Sequence, residues 1–285
     1  MSRQGGRSGV LGLLACVGAL GMAVFSASAG AVTLGQLDPN NAGQVCVIQV
    51  FDFVQPTVTS GNSYVVPSTG GISTWTVTSW STKASSDPGV QGLKFFRKVG
   101  DPATFMAVAH EGPHPLVPGL NTFPTDLQVK AGDVLGSHWE GNGACAFDAP
   151  DTVTFLEGGN LADGAMGMFD TDSPYRLNAT AEITPTSDFS FGKVKAKANG
   201  TATLQVNLPN PGDLTVAGKG VKGSTSAGSA KQVNAGKVKL VIRAKGKNKQ
   251  KLNTNGKVTV KPKITFTPTG GTPTTEKKKV KLRRP

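Results

Sequence analysis

The chain has 285 residues, with 37 glycines and 18 prolines, about a fifth of the total, and a formal net charge of +12. That length admits one or two domains. The composition excludes a collagen and a wholly low-complexity chain, and the lack of long helix-forming runs excludes a helical bundle or coiled coil, leaving an all-β globular protein as the expectation.

Residues 1–29 read as an export signal. Arg3 and Arg7 give a positive start, Gly9 to Phe25 is an uncharged apolar run, and Ala27-Ser28-Ala29 supplies small residues for cleavage after Ala29. Leu13-Leu14-Ala15-Cys16 resembles a lipobox, but the apolar run continues past Cys16, which argues against lipidation. The run is short for a membrane span and no later one is longer, so the mature chain is expected to have none. Export fits the cysteines. Cys46 and Cys145 remain after cleavage, and two lone cysteines in an oxidising compartment are expected to pair.

The front part reads as about nine short strands divided by turn residues: Val45 to Phe53, Ser63 to Val66, Ile72 to Ser81, Leu93 to Val99, Thr104 to His110, Asp126 to Val129, Val134 to Glu140, Thr152 to Phe155 and Leu177 to Ile183. This spacing predicts a jelly-roll-like β-sandwich over residues 30–183. Within it, His110-Glu111-Gly112-Pro113-His114 has the H-E-x-x-H spacing that binds zinc on a helix. Gly112 and Pro113 deny that helix, so the string is read as a strand end entering a proline-rich loop. A site joining His138 to His110 and His114 has no local spacing behind it. Asp170 and Asp172 are weak calcium candidates in a loop without the glycine of a calcium-binding motif. No G-x-S-x-G elbow and no phosphate-binding loop is present, so no catalytic residue and no cofactor is expected.

Trp75, Trp80 and Trp139 are candidates for stacking on sugars, although a core position is the ordinary reading of each ring. Trp75 and Trp80 differ by an odd number. On an unbulged strand they face opposite sides, one toward the core and one toward solvent.

Charge changes abruptly at 184–188, read as a linker. Residues 30–185 carry 6 Lys and Arg against 15 Asp and Glu, whereas residues 186–285 carry 22 against 3. Rear strands alternate apolar residues with lysines, as in Lys193 to Ala198, Lys237 to Ile242 and Lys257 to Ile264, and Thr201 to Leu208 places Ala202, Leu204, Val206 and Leu208 on one face. Lys245 to Lys251 is read as a hairpin and Lys277 to Leu282 as a last edge strand. Six or seven such strands in about 100 residues predict an Ig-like sandwich over 189–285.

Phe191-Gly192-Lys193-Val194-Lys195, Asn199-Gly200-Thr201-Ala202, Pro209-Asn210-Pro211-Gly212 and Ile264 to Gly271 resemble an Ig-like module at the C-terminal end of secreted bacterial surface proteins. Asn121-Thr122-Phe123-Pro124 and Ala131 to Gly136 are similar to secreted bacterial β-sandwich regions. The resemblance implies fold and location and carries no catalytic site.

Lysines at alternate strand positions share a sheet face. Lys193, Lys195, Lys197, Lys237, Lys239, Lys245, Lys247, Lys249, Lys261 and Lys263 are therefore the candidates for holding a polyanion. Anionic cell-wall polymers or polysaccharides are the expected partners. Specific nucleic-acid reading is not expected, because no aromatic platform or recognition helix accompanies the lysines. The same lysines also protect strand edges from pairing with other chains. The expected protein is a secreted, non-enzymatic envelope binder. A carbohydrate-binding module and an envelope hydrolase are the alternatives. The acidic front part is also free to dock against the basic rear part.

Overall fold

The computed structural model describes residues 30–40, 46–157, 159–225 and 232–284. The export signal and Cys16 lie outside the described residues.

The chain is all-β, in antiparallel sheets. In order come β1 (Val32–Gln36), β2 (Cys46–Val54), β3 (Thr74–Ala84), β4 (Val90–Gly100), β5 (Thr104–Pro115), β6 (Gly119–Lys130), β7 (Val134–Gly143), β8 (Ala146–Glu157), β9 (Met166–Met168), β10 (Thr171–Leu177) and β11 (Ala179–Pro185). The rear part holds β12 (Ser190–Ala196), β13 (Thr201–Leu208), β14 (Gly212–Ala217), β15 (Val221–Thr225), β16 (Gly236–Ala244), α1 (Lys247–Asn255), β17 (Lys257–Val260), β18 (Lys263–Pro268), β19 (Thr274–Lys277) and β20 (Val280–Arg283).

In the front part a four-stranded sheet, β1-β11-β3-β6, and a seven-stranded sheet, β10-β8-β2-β7-β4-β5-β9, share one buried cluster. Trp75, Val77, Trp80 and Ile183 of the first meet Phe51, Phe53, Leu93, Phe95, Leu135 and Trp139 of the second. Each such side chain contributes roughly 1.5–3 kcal/mol by leaving water. Cys46 and Cys145 are bonded as a disulfide, with Cα atoms 5.9 Å apart. The seven-stranded sheet is covered on its second face too. Val54, Phe96, Phe105, Val134 and Phe169 form a smaller cluster with Leu156 and Leu161. Gly136 sits where strands crowd: a Cβ there would lie 2.2 Å from the Phe53 carbonyl oxygen.

The rear part has sheets β12-β13-β16-β15, β14-β18-β19 and β17-β20 around a third cluster. β13 alternates buried and half-buried residues along its length, as the sequence pattern requires. Front and rear meet through neutral polar groups. Asn210, fully buried, accepts from Ser73 N and Thr74 N at 3.0 Å and donates to Thr74 O at 2.7 Å and Thr186 O at 3.0 Å. Ser187 and Thr274 share a 2.7 Å hydrogen bond. Among the described residues no ion pair joins the acidic and basic parts, so mutual charge neutralisation does not hold them together.

Several local expectations change. Residues 63–66 form only an isolated bridge, Val65 to Val134. The stretch 257–264 breaks into β17 and β18 around Pro262, which has no N–H for a ladder. The lysine run after Lys245 is the helix α1, not a hairpin. Gly256, with φ +65°, ends it, and Leu252 is its buried anchor.

Trp75 and Trp80 are both buried, contrary to the parity expectation. The reason is a bulge in β3: Ser79 pairs with Glu182 but Val77 with the very next residue, Ile183, which leaves Thr78 extra against β11. The irregularity lies beside Pro124, which cannot donate and is tolerated because β6 is an edge strand. The parity shift returns Trp80 to the core face.

Candidate functional site

The ten lysines proposed for polyanion contact are all exposed, but they are divided between two sheet faces and a corner. On the outer face of the four-stranded rear sheet, Lys195 lies opposite Thr203, Lys239 opposite Gln205 and Lys237 opposite Asn207. Arg243 lies opposite both Thr201 and Lys222. The inward positions, Leu204, Val206, Leu240 and Ile242, are buried, which turns these cations to solvent. Lys193 and Lys197 extend the face along β12 and just beyond it. On the other sheets Lys263 lies opposite Lys277, and Lys257 opposite Arg283. Lys261 follows β17. Lys245, Lys247 and Lys249 belong to the corner at α1. Among the described residues every ion pair lies in the front part, and none involves a cation of residues 186–284.

Like charges directly opposite each other across a ladder are destabilising. Among the described residues the rear part has three such pairs, Arg243 with Lys222, Lys257 with Arg283 and Lys263 with Lys277. Folding alone gains nothing from them, whereas an anion bound between two cations turns the repulsion into attraction.

The front part uses its charges internally. Lys94 donates to both oxygens of Asp52 at 2.9 Å, to Asn160 Oδ1 at 3.0 Å and to Leu161 O at 2.9 Å. His138 Nδ1 lies 2.8 Å from Asp52 and its Nε2 3.0 Å from Glu140. Burial pushes the Asp52 carboxyl up, but His138, the Leu161 N–H and Lys94 outweigh it and hold Asp52 below the ordinary carboxylate range. Burial pushes His138 down, and the hydrogen bonds to Asp52 and Glu140 outweigh that, so the imidazolium persists above its ordinary range. Every charge here is already partnered, and the cluster ties the segment around Leu161 to the sheet. Asp151 similarly holds Arg176, and Asp133 holds Arg97 at 2.7 and 2.9 Å.

The sugar-stacking candidates are corrected. Trp75, Trp80 and Trp139 expose 0%, 1% and 0% of their surface, so no face is open to a sugar ring. Their indole N–H groups are satisfied by Pro67 O, Glu111 Oε2 and Gly141 O. His110-Glu111-Gly112-Pro113-His114 continues as strand through Pro115 rather than ending in a loop. His110 meets Asp163 at 2.8 Å, while His114 meets Glu111 at 2.5 Å and stacks on Phe123 with centroids 4.2 Å apart. His138 belongs to the Asp52 cluster, so the three histidines do not converge. Asp170 and Asp172 are exposed and bond to Thr171 and Thr154. No group of three or more metal-ligating side chains occurs among the described residues, and no described helix is long and apolar enough to cross a membrane.

No protein-family model, curated protein or solved structure matches the chain.

Proposed function

We propose that this is a secreted, non-enzymatic envelope protein retained on anionic wall polymers or polysaccharides by its basic rear part. Residues 1–29 serve as the export signal. In this reading 30–183 is a jelly-roll-like sandwich, 184–188 a linker and 189–285 an Ig-like sandwich. The separate buried clusters on either side of Pro185 support that division. The observation that carries the function is the set of directly opposed cations with no facing carboxylate: Lys222 with Arg243, Lys257 with Arg283 and Lys263 with Lys277. The disulfide supports the secreted location, since such bonds persist in oxidising compartments.

The test uses the full chain on immobilised poly(glycerol phosphate) across a salt series. Retention falls steeply with salt, because exposed charges are screened within roughly a Debye length. Lys263→Gln weakens retention while raising stability by roughly 0.2–1 kcal/mol, since it removes a like-charge pair. Retention unchanged at molar salt overturns the proposal.

A further inference from the structure

Beside α1, at the start of β13, Arg243, Lys249 and Arg284 surround a cavity of about 220 Å³ together with Asn199, Thr201 and Asn253. Among the described residues no carboxylate lines it. Its side-chain amide oxygens are engaged within the protein. Arg284 Nη1 donates to Asn253 Oδ1 at 2.8 Å, and Asn199 Oδ1 accepts from Thr201 N at 3.2 Å and Thr201 Oγ1 at 2.8 Å. Both amide oxygens are thus occupied. The guanidinium, ammonium and amide N–H groups remain, and all of these are donors. Leu252 closes the inner side against Gly200, where a Cβ would lie 3.1 Å from Leu252 Cδ2 and where φ is +81°. A side chain at 200 would strain the backbone and crowd the cavity.

We infer that this cavity is a binding site for a phosphoryl group. The inference rests on the polyanion reading above and names the chemistry its partner presents. A tetrahedral oxyanion offers several acceptor oxygens to donors arriving from different strands and the helix, whereas a planar carboxylate offers two. Three converging cations favour the charge of a phosphoryl group, up to two negative units near neutral pH. The volume is below the roughly 300–1,000 Å³ of pockets for larger ligands, so one phosphoryl group is the fitting occupant rather than a large organic molecule.

The test is titration of the ¹⁵N-labelled full chain with inorganic phosphate at constant ionic strength, followed by NMR. The expected result is saturable shifts confined to Gly200, Thr201, Asn253 and their neighbours. Arg243→Gln with Lys249→Gln weakens that binding at least several-fold, while Lys278→Gln with Lys279→Gln, at the far end of β20, leaves it unchanged. Dimethyl phosphate forms a second arm. Saturation by both probes assigns the site to a phosphodiester polymer, and saturation by inorganic phosphate alone assigns it to free or terminal phosphate. Shifts that spread over the rear part without saturating, or saturation indifferent to the double substitution, overturn the inference. A flat titration alongside salt-sensitive retention on poly(glycerol phosphate) removes this site and leaves the retention proposal standing. Saturation without retention does the reverse.

Discussion

The front and rear parts spend their charged residues differently. In residues 30–185 cations are a minority, 6 against 15 carboxylates, and three of the six are drawn into buried or half-buried pairs, Lys94 on Asp52, Arg97 on Asp133 and Arg176 on Asp151. Residues 186–285 carry 22 cations, and the described ones stand outside the core and in places face one another. The cores differ as well: all three tryptophans and both tyrosines belong to the front, while the rear is filled by Leu, Val, Ile and Phe. A buried charge is destabilising unless it is partnered, so the front charges are constrained by structure. The rear charges carry no such constraint and are open to a partner outside the chain.

Breaking the front part is the sharpest way to test this contrast, because tryptophan fluorescence reports only on it. Replacing Cys46 and Cys145 by serine opens a loop with a sequence separation of 99. The expected loss is about 4–5 kcal/mol in a chain-entropy account. The fluorescence transition falls in denaturant, and hydrogen exchange of β13 and β16 does not follow it. Equal loss in both parts would merge them into one unit. Asp52→Ala comes next, at roughly 3–5 kcal/mol, since it strands Lys94 and His138 without their shared counter-charge. The expected loss again appears in fluorescence alone, and a variant as stable as the parent removes the structural role assigned to the cluster.

Asn210→Ala acts on the junction and sharpens the contrast. It leaves two backbone N–H groups and two carbonyls of Ser73, Thr74 and Thr186 without the partner they have now. A loss of about 2–3 kcal/mol is expected, seen as a wider gap between the fluorescence and exchange transitions. Coincident transitions in both proteins would show that Asn210 does not couple the parts.

Much of this architecture is legible in local pattern. The alternation of Ala202, Leu204, Val206 and Leu208 gives β13 directly, and the lone pair Cys46 and Cys145 gives the crosslink. What escaped was set by partners far along the chain. The β3 bulge lies against β11, where Ser79 and Val77 face the consecutive residues Glu182 and Ile183, so parity within β3 misplaces Trp80. The charged cluster joins Asp52, Lys94 and His138 from three strands, and none has a neighbour in sequence that announces the others. One signal was present: Asp52 in Phe51-Asp52-Phe53-Val54 and Lys94 in Leu93-Lys94-Phe95-Phe96 interrupt apolar runs, the mark of strands covered on both faces. Helix α1 was hidden because it buries only Leu252 and its lysines read equally well as a charged turn.

The smallest expected effect concerns pH and also divides the two parts, since all three histidines lie in the front. His138 faces a carboxylate oxygen at each ring nitrogen, so both nitrogens carry protons in the arrangement seen. Burial opposes that charge, but Asp52 and Glu140 prevail and raise the pKa above the ordinary 6.5. A raised folded value means that the native front part holds its proton to higher pH than the unfolded chain. This stabilisation is complete below 6.5 and is lost as pH rises through the raised value. Asp52, lowered from 3.8, works in the opposite sense: its contribution is present above 3.8 and is lost as pH falls through the lowered value. The fluorescence transition is therefore most stable in mildly acidic solution and weakens toward alkaline pH. His138→Gln keeps a polar side chain but removes the titration, so the alkaline slope flattens while the rear transition is untouched. An alkaline slope of the same size in His138→Gln would assign the effect to another group and leave His138 a neutral hydrogen-bonding residue.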